Sequence, residues 1–130
     1  MEGYYTGNIK DVKSDEVKVG KSKGTYIQWL ITDKQEKNYA MRRFIIKPEG
    51  KIAMHYHDYY ESLYFVNGQC SVCVDDKKME LKKDDFIFID SKHKHEIINN
   101  GNEELEFICV INYTDNMNIT ALDEECFNPK

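Results

Sequence analysis

The sequence predicts an all-β domain, an antiparallel sandwich or, more specifically, a closed or near-closed barrel. Three observations carry that reading. Short runs rich in Ile, Val, Phe and Tyr recur at a spacing of about ten residues, separated by turn chemistry, as in sandwiches and barrels. No repeat, low-complexity tract or proline-rich linker interrupts them, and Pro48 and Pro129 are the only prolines. The chain has 130 residues, 41% of them hydrophobic, which suits one domain around one core.

Residues 1–24 are polar and glycine-punctuated (NIKDVKSDEVKVGKSKG), with little periodic apolar content, and read as an arm rather than a core element. The barrel is expected over residues 25–115. Its strands are YIQWLIT, followed by DKQEKN; YAMRRFII, followed by Pro48 to Gly50; and ESLYFV, followed by Asn67-Gly68. Then come QCSVCV with DDKK, FIFID, HEIIN with NGN, and LEFICVIN. Asn67-Gly68 predicts a hairpin, because both residues tolerate the positive φ of a type I′ turn. Residues 116–130 form a tail in which a short helix is expected. Thr120 would cap it, Asp123 would answer as in a capping box, and Leu122 and Cys126 would share a face.

Eighteen Lys and Arg stand against 23 Asp and Glu, a formal charge of −5. That balance speaks against nucleic-acid binding, which needs a clustered basic excess. No apolar run approaches the ~18 residues of a membrane span. The start, MEGYYTGNIKD, lacks the basic and apolar regions of a secretory signal, so a cytoplasmic location is expected. Four cysteines in such a compartment read as thiols rather than disulfides. Cys70 and Cys73 have the C-x-x-C spacing of a redox pair or half a zinc site, but QCSVCVD alternates like a strand. Residues three apart on a strand face opposite sides, so the two sulfurs should diverge and pack as thiols.

All four histidines fall in two clusters, His55-Tyr56-His57 with Glu61 close behind, and His93-Lys94-His95. On an extended backbone His55 and His57 project to one face, and Glu61, Leu63 and Phe65 share their parity. Two imidazoles and a carboxylate on one wall are three arms of a divalent metal site, and a histidine from a later strand would be the fourth. This mixed N/O set suits Mn, Fe, Ni, Cu or Zn without selecting one.

The run GKIAMHYHDYYESLYFVNG, from Gly50 to Gly68, resembles the first motif of the cupin superfamily: a glycine, a His-x-His pair, a glutamate and a later glycine. The stretch DDFIFIDSKHKHEIIN, from Asp84 to Asn99, resembles the second motif, in which histidine precedes asparagine. That match selects His95 with Asn99, and passes over His93. Together the motifs cover most of residues 50–99. Four residues rather than the usual five separate Gly50 from His55, and Asp84, Asp90 and Lys92 replace a glycine, a proline and a glycine. Those positions shape turns and do not ligate metal.

The resemblance implies an antiparallel double-stranded β-helix, or jelly-roll barrel, with His55, His57, Glu61 and His95 as metal ligands. It implies a small metalloenzyme that chelates a small oxygen-rich metabolite at a 3-His/1-Glu centre, of dioxygenase, isomerase or decarboxylase type. Four protein ligands leave positions open for substrate on a five- or six-coordinate ion. The alternative is a non-catalytic barrel that binds or senses a small molecule. Glu61 would have a second role as general base. His93 is expected as a donor behind the ligands, a substrate contact or a proton shuttle, and otherwise as a rim residue. Tyr56 and Tyr64 read as packing aromatics, whereas Tyr59 and Tyr60 are placed at the pocket mouth, with Tyr60 a candidate catalytic residue. Trp29, Met41, Phe44 and Phe107 read as core or interface. A homodimer is expected, with the arm adding a strand to a neighbour's sheet edge.

Overall fold

The computed structural model describes residues 3–127, so the first two residues of the arm and the last three of the tail lie outside it. The strands are β1 (Asp15–Glu16), β2 (Lys23–Ile31), β3 (Tyr39–His57), β4 (Glu61–Asn67) and β5 (Gln69–Val74). They continue with β6 (Lys77–Lys82), β7 (Phe86–Ile89), β8 (His95–Ile98), β9 (Leu105–Asn112) and β10 (Ile119–Ala121). Every pairing is antiparallel. Residues 39–46 of β3 lie between β2 and β9, and β9 leads on to β4 and the edge strand β7. Residues 51–57 of the same strand lie between β8 and β10, and β8 leads on to β5 and β6. One long strand therefore runs through both walls of a nearly closed barrel, the jelly-roll architecture. No helix among the described residues is long and apolar enough to cross a membrane.

The core follows from alternation. Phe44, Phe65 and Phe107 sit opposite one another on β3, β4 and β9, in the registers Phe44↔Phe107 and Phe65↔Phe107. The Phe44 and Phe107 rings stack at 4.9 Å, and Phe65 tilts against Phe107 at 5.3 Å. Such cross-strand aromatic pairs fix register as well as burying area. Leu63, Leu105, Ile46, Ile97, Ile111, Val72, Cys70 and Cys109 complete the cluster.

Turn chemistry is where the structure departs from the sequence reading. Pro48 to Gly50 bends β3 without ending it. Glu49 takes a φ of 69°, and a Cβ on Gly50 would lie 2.8 Å from the Lys23 carbonyl oxygen. The hairpin expected at Asn67-Gly68 does not form, since β4 pairs with β7 and β9 whereas β5 pairs with β6 and β8. Gly68, at φ 89°, instead turns the chain from one wall to the other, and a Cβ there would meet the Glu104 carbonyl oxygen at 2.7 Å. The two-residue hairpin lies at Asp75-Asp76, whose φ values of 49° and 72° are those of a type I′ turn. Asp84 and Lys92, at the sequence's two departures from glycine, still adopt the left-handed conformation, with φ 75° and 70°.

The tail differs most. No α-helix forms among the described residues. Thr120 belongs to β10, which finds ladder partners on β3 in the registers Ile119↔His57, Thr120↔Tyr56 and Ala121↔His55. Beyond it the tail folds over the outer face of β5 and β8, where Cys126 forms a disulfide with Cys73 across 53 residues of sequence. This corrects the expectation of four thiols. Alternation does send Cys70 into the core and Cys73 outward, but chain return brings Cys126 onto Cys73, which spacing alone does not reveal. Cys70 and Cys109 are free and buried.

The arm packs on its own chain. β1 pairs with β2, and Gln28 Nε2 donates to the Ile9 and Val12 carbonyls at 2.8 and 3.0 Å. The sequence reading offered this arm to a neighbour's sheet edge; here the edge it covers is that of β2.

Candidate metal centre

A β-bulge aims the ligands. In the first half of β3 the even residues Ala40, Arg42, Phe44 and Ile46 are the buried ones. Between Ile52↔Ile97 and His55↔His95 the register shifts by one residue, so beyond it the odd residues His55 and His57 face inward. Glu61 opens β4 facing the same way, followed by Leu63 and Phe65. His95 opens β8 directly opposite His55. Asn99 holds the far end of β8, donating from Nδ2 to the Ile46 and Glu103 carbonyls at 2.8 Å each.

His55, His57, Glu61 and His95 converge, all buried, with one ligand atom from each inside 4.8 Å of the others. His57 Nε2 and His95 Nε2 each lie 2.8 Å from Glu61 Oε2. The opposite nitrogens face backbone carbonyl oxygens: His55 Nδ1 meets Ala53 at 2.7 Å, His57 Nδ1 meets Tyr59 at 2.7 Å, and His95 Nδ1 meets His93 at 2.9 Å. A carbonyl only accepts, so each Nδ1 carries a hydrogen, and a ring that carries no second proton turns its Nε2 lone pair inward.

Lone pairs converging on a carboxylate oxygen need positive charge between them. Burial, reinforced by His95, pushes His55 down to about 3, so a proton does not fill that role there. Burial lowers His95 as well, but the adjacent Glu61 carboxylate outweighs it and raises the group. Burial acts upward on Glu61, yet His95, the close Nε2 contacts of His57 and His95, and Arg42 hold its carboxyl well below the usual range. A divalent cation answers all four donors at once, and ligand bonds of about 2.0–2.2 Å to one ion span nearly the observed separation. The donor set fits a transition metal.

Other sequence candidates fall elsewhere. His93 lies outside β8 on the surface, because the positive φ of Lys92 breaks the extended geometry that gave it the parity of His95. Its ring pairs with Asp75, and only its carbonyl serves the centre. Tyr60 also faces away, with its ring against Phe88 at 5.3 Å and its backbone N–H donating to Asn112 Oδ1. Its neighbour Tyr59 shares parity with His57 and Glu61, is buried, and stacks on His57 at 3.7 Å. Burial raises the Tyr59 hydroxyl to about 12, against the pull of the nearby Arg42 guanidinium.

His55, His57, Glu61 and His95 line a cavity of about 170 Å³. Val17 and Val19 of the arm, Ile27 and Trp29 of β2, and Ile119 of β10 help to wall it. Two residues behind Glu61 were not singled out from the sequence. Cys109 Sγ donates to Glu61 Oε1 at 3.2 Å, and Arg42 Nη2 lies 3.9 Å from that oxygen and 3.0 Å from Cys109 Sγ. Arg42 occupies an inward position between Ala40 and Phe44, and a charge on an apolar face is the signal that marks it.

Known proteins share these features to different depths. An uncharacterised protein of Methanocaldococcus jannaschii is 35% identical over 71 residues, 54% of this chain and 57% of that one. The oxalate-binding protein of Thermotoga maritima is 33% identical over 70 residues, 53% of this chain and 58% of its own. The matched stretch thus spans somewhat more than half the length of these curated relatives. The polyketide cyclase RemF of Streptomyces resistomycificus superposes with a TM-score of 0.82 over 95% of this chain and 90% of its own, at 19% identity, a likeness of fold. The family model described as the cupin domain matches residues 42–111, from the buried arginine of β3 to the last core residue of β9 and including all four converging side chains, and the chain belongs to the cupin family.

Proposed function

We propose that this cupin is a metalloenzyme that takes a small oxygen-rich metabolite onto a divalent transition metal held by His55, His57, Glu61 and His95. The observation that carries this reading is the shared tautomer: three imidazoles tied through Nδ1 to backbone carbonyls, with their Nε2 atoms turned on one carboxylate. When bound, the ion would act as a Lewis acid on the oxygen of a chelated substrate. The chain's own residues would do the rest. Glu61, held ionised, would be placed to accept a proton. The aromatic and aliphatic walls exclude water. Dioxygenase, isomerase and decarboxylase chemistry all begin from such a chelate.

A second reading, a barrel that binds its ligand without turning it over, draws support from the relative named as oxalate-binding. Metal content tests the part common to both. Protein purified without a tag or metal column should carry close to one transition-metal ion per chain by elemental mass spectrometry. His57→Ala should lose most of it and His93→Ala should keep it. Equal losses in the two variants, or a folded wild type that resists loading, would reject the centre.

The reading extends to assembly as a homodimer. β7 is the edge of its wall, and Phe86 and Phe88 stand 78% and 56% exposed there beside Tyr60 and Tyr64. An unpaired edge carrying contiguous aromatics is the surface a second copy would cover.

A further inference from the structure

The mechanism above makes no use of Arg42, although it is buried in the cavity wall at 5% exposure. Its guanidinium lies against two aromatic rings, with Cζ 5.1 Å from the centroids of both Trp29 and Phe44. Nη2 reaches Cys109, and Nε has no hydrogen-bond partner among the described residues. Arginine keeps its charge in such a place, and a buried charge calls for a counter-charge.

Counting charge shows what the cavity lacks. Glu61 and Arg42 cancel, and Cys109 donates its thiol hydrogen to Glu61. Imidazoles that ligate through Nε2 are neutral. A divalent ion would then leave two positive charges uncompensated in a space otherwise walled by side chains such as Ile27, Trp29, Phe44, Ile97 and Phe107. Solvent screens poorly there, so the charge is best met by an anionic ligand. The remainder of that ligand faces hydrocarbon. The cavity of about 170 Å³ is close to the roughly 150 Å³ apolar cavity that accepts benzene.

We propose that Arg42 reads the anionic head of the ligand, and that the ligand class is a small carboxylate with an apolar body of about one ring. This deepens the reading of the metal centre and rests on it. The polar part of the lining, where Arg42 lies 3.9 Å from Glu61, takes the carboxylate, and the apolar side chains of the lining take the body. Arg42 is then a specificity-determining residue, and Trp29 an aromatic wall that holds its guanidinium flat.

Trp29 is the only tryptophan in the chain, so its fluorescence reports the cavity directly. Metal-loaded protein is titrated with benzoate, with its neutral isostere benzamide, and with acetate, which has the charge without the ring. Benzoate is expected to bind at least about tenfold more tightly than either, as for a charged hydrogen-bonding partner removed. In Arg42→Met, checked for folding by circular dichroism and for metal content, benzoate should fall to the level of benzamide, and Arg42→Lys should recover part of the difference. Benzamide binding as tightly as benzoate in the wild type overturns the proposal, and that comparison needs no variant. So does full benzoate affinity in a folded, metal-loaded Arg42→Met. A chain that takes up no metal overturns the reading of the centre and this proposal with it, whereas a loaded chain indifferent to charge overturns the anion subsite alone.

Discussion

His93 serves the centre through its backbone, while its side chain answers to Asp75. That pairing, chiefly the hydrogen bond to Asp75, raises the imidazole above its ordinary 6.5. The sign follows from linkage. A raised folded value stabilises the fold below the unfolded value and the contribution is lost as pH rises through the folded one. The pair is half-exposed, so the effect is modest. Asp75→Asn should bring the His93 titration down toward 6.5 in a proton NMR pH series while leaving metal content intact. A titration that does not move would show that Asp75 is not the cause. At this scale the sequence showed the converging side chains better than their supports. His55, His57 and Glu61 share a strand parity that can be read directly. Arg42 and Cys109 reach Glu61 from strands distant in sequence, and each looks like an ordinary strand residue until the sheet is assembled.

Among the elements, β3 and the tail are the ones that sequence patterns describe least well. Pro48 to Gly50 has the chemistry of a turn, yet the ladder continues through it because a glycine lets three backbones pack together. Seven strands were legible from their apolar runs, since those runs face a core, whereas β1, β6 and β10 are mostly exposed and carry no such run. The partner of each strand was not, because Asn67-Gly68 suits a hairpin and a wall-to-wall turn equally well. The tail is short of apolar residues and owes its place to β10, to Glu96 accepting from the Cys126 N–H at 2.9 Å, and to the disulfide with Cys73. Cys126→Ser should lower the unfolding free energy by about 2–4 kcal/mol in urea titrations. It should also speed hydrogen exchange at residues 119–121 more than in β9. Unchanged exchange at β10 would mean that the ladder to β3 holds the tail without the disulfide.

For the whole molecule, two walls share one long strand, and the free edge of one wall carries exposed aromatics. Light scattering should give twice the chain mass for the wild type, and Phe88→Asp should return it to one chain without loss of metal. A monomeric wild type would remove the dimer from the reading. The barrel and its motif order were readable from the chain because each wall is built by alternation. The arm was read as separate from the barrel, yet Val17 and Val19 complete its cavity.

The path of the tail has a consequence for which ion the centre accepts. β10 runs beside His55 and His57, and five residues after its end the chain is bonded to β5, the strand that pairs with the His95 strand on its other edge. Tail and disulfide thus tie together the strands that carry three of the four converging side chains. A donor set held at fixed spacing discriminates between ions by radius and preferred geometry, whereas a slack one yields to whichever ion binds nitrogen most strongly. In this barrel that tie, and not the donors alone, would bear on which ion a loaded centre keeps.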